Sequence, residues 1–187
     1  MIYKYEVTGE PVDTGWELPP ELKEGFFTIH MEARVDPEGM IGRLEKLKAK
    51  YPGVPQIYNL LGQAYSAIGD IVKANEISRE NYLLHPDYLF AKTNYAETFI
   101  GSGQYEKIAE IFDNKFDLKL LYPHRDVFHF SEVACFLGVI GMYHIFIGNL
   151  AAAENCYEVI KKAYKDHPST KRLAECLTMM NVTMDDN

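Results

Sequence analysis

Tyr58-Asn-Leu-Leu-Gly62-Gln-Ala-Tyr65, followed by Gly69-Asp70, Ala74 and Pro86, is the stretch that decides the fold. An aromatic, a small residue and a second aromatic at helical spacing, then a glycine turn, another small residue and a proline, spell helix, turn, helix and stop. Numbered from Pro55, the pattern predicts a second unit about 34 residues on, at Leu89. There Tyr95-Ala96 and Phe99 take the first-helix positions, Gly103-Gln104-Tyr105 the turn, and Ile108 and Phe112 the second helix.

The same interval taken backwards places an earlier unit at Glu21, with Phe27-Thr28, Met31, Met40, Leu44, Leu47 and Pro52 at corresponding positions. Its turn is Val35-Asp36-Pro37, acceptable because proline suits the first position of a helix. A fourth unit aligns from its turn, Gly148-Asn149-Leu150, with Ile140-Gly141 in the first helix and Ala153, Tyr157 and Ile160 in the second, so that it starts near Ala134. Residues 123–133 are therefore an insertion. With Asp126 as N-cap after Pro123, they are expected to lengthen the first helix of the fourth unit, a surface loop being the alternative. Phe128, Phe130 and Val133 favour the helix, being too apolar to leave in water.

Beyond the fourth unit, His167-Pro168-Ser169 ends one helix, and Ser169 is the expected N-cap of another over residues 169–180. Leu173, Leu177 and Met180 line one side of it, which reads as a helix covering the end of a stack; residues 181–187 are expected to fray. At the other end Ile2-Tyr-Lys-Tyr-Glu-Val7 alternates like a strand with no sheet to join, so residues 1–20 are read as an irregular extension.

These units, 21–54, 55–88, 89–122 and 134–167, resemble the tetratricopeptide repeat (TPR) family, with the most specific likeness in the second and third. The resemblance implies an all-α fold: a right-handed α-solenoid of about four helix-turn-helix repeats with a C-terminal capping helix. In such repeats Gly62, Ala96 and Gly141 let the paired helix approach, and Ala74 and Ala153 let the next repeat dock. Gly69, Gly103 and Gly148 suit the left-handed backbone that ends helices. Ser78 and Asn81 depart from the pattern, standing where the family has apolar and small residues; local hydrogen bonding is the expected explanation.

The 187 residues, 47% hydrophobic, suffice for a continuous core in one domain. A net charge of −8 argues against nucleic acid, because phosphate-backbone affinity comes from Lys and Arg. Cys135, Cys156 and Cys176 form no CxxC pair and leave an odd count, so neither a disulfide framework nor a zinc finger is indicated and a reducing, cytoplasmic setting is expected. The first residues lack the basic start and apolar run of an export signal. The apolar run Val127–Ile147 carries His129, Glu132 and His144, which argues against membrane insertion.

Chemistry is sparse. His129 and Glu132 share a helix face near His124, but a metal needs three or four converging ligands and only two are secured, so no metal is expected. His144 takes a position normally aromatic and reads as a packed imidazole. Phosphate-loop, nucleophile-elbow and zinc-protease motifs are absent, and Gly101-Ser-Gly103 lacks a following lysine. The cysteines read as small hydrophobes. No catalytic residue and no cofactor is expected, and an enzyme with an unrecognised site is the remote alternative.

The resemblance implies a non-enzymatic scaffold whose first helices line a concave groove for a protein or peptide ligand. The implied lining is Gln56, Asn59 and Gln63 with Phe90, Thr93, Asn94 and Glu97. One subclass clamps a terminal carboxylate with lysine, arginine and asparagine. Here Asn94 matches, but Asn59, Cys135 and Val139 replace the basic members, so an uncharged or basic peptide, or a protein surface, is the expected partner. The alternatives are a groove filled by the chain's own N-terminal extension, and a homodimer through the helix near 126–147, with Phe128 to Phe136 as its patch.

Overall fold

A computed structural model describes residues 4–185. The chain is all-α in character: among the described residues there are ten helices and one short two-stranded ribbon. Its contacts divide it into two compact units, one of Asp13–Tyr95 and one of Met1–Val12 with Ala96–Asn187.

The unit of residues 13–95 contains α1 (Pro20–Val35), α2 (Pro37–Lys50), α3 (Pro55–Ala67), α4 (Ile71–Leu84) and the beginning of α5 (Leu89–Ile100). Prolines open the first three helices, where the missing N–H is one that no helix would satisfy. Asp36 accepts from Gly39 N at 2.9 Å and Asp70 from Lys73 N at 3.0 Å, so α2 and α4 carry side-chain caps. Gly69, at φ 83°, turns α3 into α4. Ile29, Ala33, Met40, Leu44, Tyr58, Leu60, Leu61, Ala64 and Ile77 join the four helices in one core. Within α1 the buried stripe is Leu22, Ile29 and Ala33; Phe27 and Met31, which the repeat alignment set at core-type positions, are 74% and 42% exposed. The alignment is thus out of phase with the buried face of α1.

In the other unit, β1 (Glu6–Thr8) pairs in parallel with β2 (Val127–His129), Val7 opposite Phe128. Two expectations are corrected here. Residues 6–8 do find a partner strand, and the insertion does not lengthen the following helix from Asp126. Its Val127–His129 forms β2, and only its last residues, 130–133, extend α8 (Phe130–Phe146) ahead of Ala134. His129 caps it, Nδ1 accepting from Ser131 N at 3.3 Å, while Glu132 returns to His129 N at 3.0 Å. Asp126 pairs with Lys119 instead. Upstream, α6 (Tyr105–Ile111) ends at a left-handed pair, Asp113 and Asn114 (φ 52° and 55°), before the short α7 (Leu118–Leu121).

The rest of this unit is α8, α9 (Leu150–Tyr164) and α10 (Pro168–Asp185). α8 buries residues around most of its circumference, including Val133, Phe136, Val139, Ile140 and Ile145. Of the apolar stretch Phe128 to Phe136, Phe128 and Phe136 are fully buried, while Phe130 keeps partial exposure. Gly138 and Gly141 set the spacing of α8 and α10: a β-carbon built on either would lie 2.6 Å from Ser169 Cβ or Leu173 Cδ2 respectively. α10 starts one turn position earlier than expected, with His167 Nδ1 accepting from Ser169 N at 3.2 Å, and it continues past 180 to Asp185. Residues 186 and 187 of the expected frayed tail, and Ile2 and Tyr3 of the alternating start, lie outside the described residues. No helix among the described residues is long and apolar enough to cross a membrane.

Candidate functional site

The polar lining expected along α3 and the start of α5 is built around three asparagines. Asn81 of α4, 1% exposed, donates to Pro55 O at 3.2 Å and to Asn59 Oδ1 at 2.9 Å, and its own Oδ1 lies 2.8 Å from His85 Nδ1. Asn94 also donates to Asn59 Oδ1, at 3.0 Å, and Asn59 donates to Tyr88 Oη at 3.3 Å. With the Asn81 amide nitrogen already donating, its oxygen is the acceptor, so His85 carries its proton on Nδ1. Burial lowers the pKa of His85 below the usual histidine value, outweighing hydrogen bonds to Pro52 and Asn81 that favour the charged ring. Ser78 donates to Ala74 O at 2.9 Å. The two polar departures from the repeat pattern are therefore satisfied locally.

Over this network lies Trp16, from the segment that precedes α1. Its ring meets His85 edge-on at 5.3 Å and Tyr88 at 5.9 Å, and its backbone carbonyl accepts from Gln56 Nε2 at 2.5 Å. Leu18, two residues on, packs against Leu22, Val54 and Ile57. The oxygen of the same Gln56 amide, Oε1, is buried without a hydrogen-bond partner.

The remaining expected residues separate. Gln63 is exposed and lines a shallow pocket with Ala33, Arg34, Leu60 and Ala67. Phe90 is half-buried with its ring edge-on to Tyr88 at 5.6 Å. Thr93 is 1% exposed and donates to Phe90 O at 3.2 Å, so it is a core residue rather than part of a lining. Glu97 belongs to the other unit, where it accepts from Arg172 at 3.0 Å.

In that other unit the His124, His129 and Glu132 cluster does not assemble. His124 is exposed, His129 caps α8, and both Glu132 oxygens face Arg125. Among the described residues no three His, Cys, Asp or Glu side chains converge to hold a metal ion. His144 packs edge-on against Phe116 at 5.6 Å, and burial lowers its pKa. Burial pushes the Cys135 thiol up to about 12 and the Cys156 thiol to about 11, the opposite of an activated nucleophile.

Trp16, His85 and Tyr88 were missed by the pattern along the chain. The only signal was an isolated tryptophan in an otherwise polar stretch, Asp13-Thr-Gly-Trp16-Glu-Leu18. No family model, curated protein or solved structure matches the chain.

Proposed function

We propose that this chain is a non-enzymatic scaffold of the tetratricopeptide type that holds an extended segment of another protein. The right-handed α-solenoid is part of the proposal. One observation carries the binding role: Gln56 of α3 already grips the main-chain carbonyl of a non-helical piece of polypeptide at Trp16. Main-chain recognition by a fixed side-chain amide is how a helical face holds a peptide without demanding charge. The helix starts at Pro55 and Leu89, where the repeat numbering sets them, support the same reading. The lining residues left to meet a ligand are Gln56 and Phe90 beside the Asn59–Asn94 network, and Gln63 farther along α3. The free thiols of Cys135, Cys156 and Cys176 fit a reducing compartment.

The test is capture of a partner from native cell extract by the purified chain and by a Gln56→Ala, Gln63→Ala variant, with light scattering on both. A specific protein held by the first and lost by the second, at equal helix content, supports the scaffold. A tight dimer that captures nothing removes it in favour of self-association.

A further inference from the structure

Residues 9–19 contain no helix or strand, yet the second half of this segment is held in the 13–95 unit by three different kinds of contact. The Trp16 ring rests on His85 and Tyr88, the Trp16 carbonyl is held by Gln56, and Leu18 enters the apolar pocket formed by Leu22, Val54 and Ile57. Ring, carbonyl and aliphatic side chain follow at the spacing Trp-x-Leu, so the surface reads a short non-helical sequence. The acidic neighbours are not read: Asp13 and Glu17 are exposed, and Glu17 faces Lys23 at 3.0 Å on the solvent side.

The fit is incomplete in one respect. A carboxamide can hold a peptide from two sides, donating to a carbonyl and accepting from an N–H. The resident segment uses only the donor of Gln56 and leaves Oε1 buried and unpaired, a state that is unfavourable for an acceptor. A segment that also presents an N–H to Oε1 completes the site better than the one now in it.

We infer that this cleft recognises an extended segment of another protein bearing Trp-x-Leu, and that residues 13–19 are its displaceable resident occupant. The inference rests on the scaffold reading above and specifies its ligand and its control. A tethered occupant competes at an effective concentration on the order of millimolar, so a partner's segment gains access when the resident one is weakened or outmatched.

The probe is a capped, fluorescein-labelled peptide of residues 13–19, titrated by fluorescence anisotropy into the full chain. Trp16→Ala should bind it at least tenfold more tightly than wild type, and adding Gln56→Ala should remove that gain. Peptides with alanine for the tryptophan or the leucine should not bind. A second measurement needs no substitution: 5-fluorotryptophan incorporated into the wild-type chain reports its single tryptophan as one ¹⁹F resonance. Millimolar unlabelled peptide should move that resonance towards the solvent-exposed position. An unmoved resonance, or equal affinity of wild type and a folded Trp16→Ala chain, overturns the inference. If a cellular partner is still captured equally by both chains, the scaffold reading survives that failure; if nothing is captured either, both fall.

Discussion

Arg125 closes on Glu132 with both terminal guanidinium nitrogens, at 2.9 and 2.8 Å, around a carboxylate whose side chain is 2% exposed. The guanidinium also lies over the Phe128 ring, 4.3 Å from its centroid, and Glu132 receives His129 N at 3.0 Å. The pair thus joins the loop before β2, the strand itself and the first turn of α8. Arg125→Ala leaves a buried carboxylate uncompensated and should cost about 3 kcal/mol, read as a lower urea midpoint. Arg125→Leu combined with Glu132→Leu should recover much of that loss.

The asparagine network makes its own demand on stability. Asn59→Ala removes the acceptor of both the Asn81 and Asn94 amides and the donor to Tyr88. Because Asn81 is 1% exposed, water cannot replace the lost partner, and about 1–3 kcal/mol should go. Thermal melting of the single variants should rank Asn81→Ala and Asn59→Ala well below Gln63→Ala, which is exposed and should melt with the wild type.

Three glycines should respond differently to the same added methyl group. At Gly62 the nearest atom to a new β-carbon is Ile77 Cγ2 at 3.7 Å, an ordinary contact, so Gly62→Ala should be neutral or stabilising by up to about 1 kcal/mol through helix propensity. Gly138→Ala meets Ser169 Cβ at 2.6 Å, an atom fixed to the backbone of α10, and should cost about 1–3 kcal/mol. Gly141→Ala meets the ends of Leu173 at 2.6 and 2.9 Å and should fall between them, since those methyls can rotate. Chemical denaturation of the three alanine variants decides the order.

Burial lowers the pKa of His85, so the folded state resists protonation while the unfolded chain protonates near the usual value of about 6.5. Its contribution to stability is therefore complete above that pH and is lost as pH falls through about 6.5 towards the lower folded value. His30, His144 and His167 are lowered in the same direction, so the melting temperature should drop between neutral pH and about pH 5. His85→Gln should flatten part of that slope. Trp16 emission should change over the window in which His85 charges, because the two rings lie 5.3 Å apart.

Thiols pushed up to about 12 at Cys135 and about 11 at Cys156 hold almost no thiolate near neutrality. Iodoacetamide at pH 8 should leave both unmodified in the native chain and alkylate both in urea, as mass spectrometry of peptides would show. Rapid native modification of Cys135 would contradict a thiol held this far from ionisation.

The helical part of this architecture is legible where a residue type answers a single backbone requirement. Gly69, Gly103 and Gly148 adopt φ of 83°, 73° and 78° at the turns where glycine spacing sets them, and Ala74, Ala96 and Ala153 are buried as small residues at close approaches should be. Legibility fails where the deciding partner is far along the chain. Val127-Phe128-His129 has the apolar composition of the helix that follows it, and nothing local shows that its backbone pairs with Glu6–Thr8. The early end of α6 depends on non-glycine residues, Asp113 and Asn114, taking a left-handed turn, which sequence permits without requiring. At the candidate site, Gln56 is reachable by repeat numbering because it sits on a periodic helix. Trp16 is not, because a segment without periodicity carries no indication of the surface that receives it.

The ribbon of β1 and β2 also has a bearing on how the molecule comes into being. Helix pairs form from neighbours a few residues apart, whereas Glu6 must meet Val127 across about 120 residues of intervening chain. During synthesis at roughly 5–20 residues per second, the N-terminal strand leaves the ribosome several seconds or more before its partner exists. Tyr5, whose ring lies 5.2 Å from that of Phe128, waits with it. The helices α1 to α4 lie wholly between the two paired segments in sequence, so they are complete and free to pack before Val127 exists.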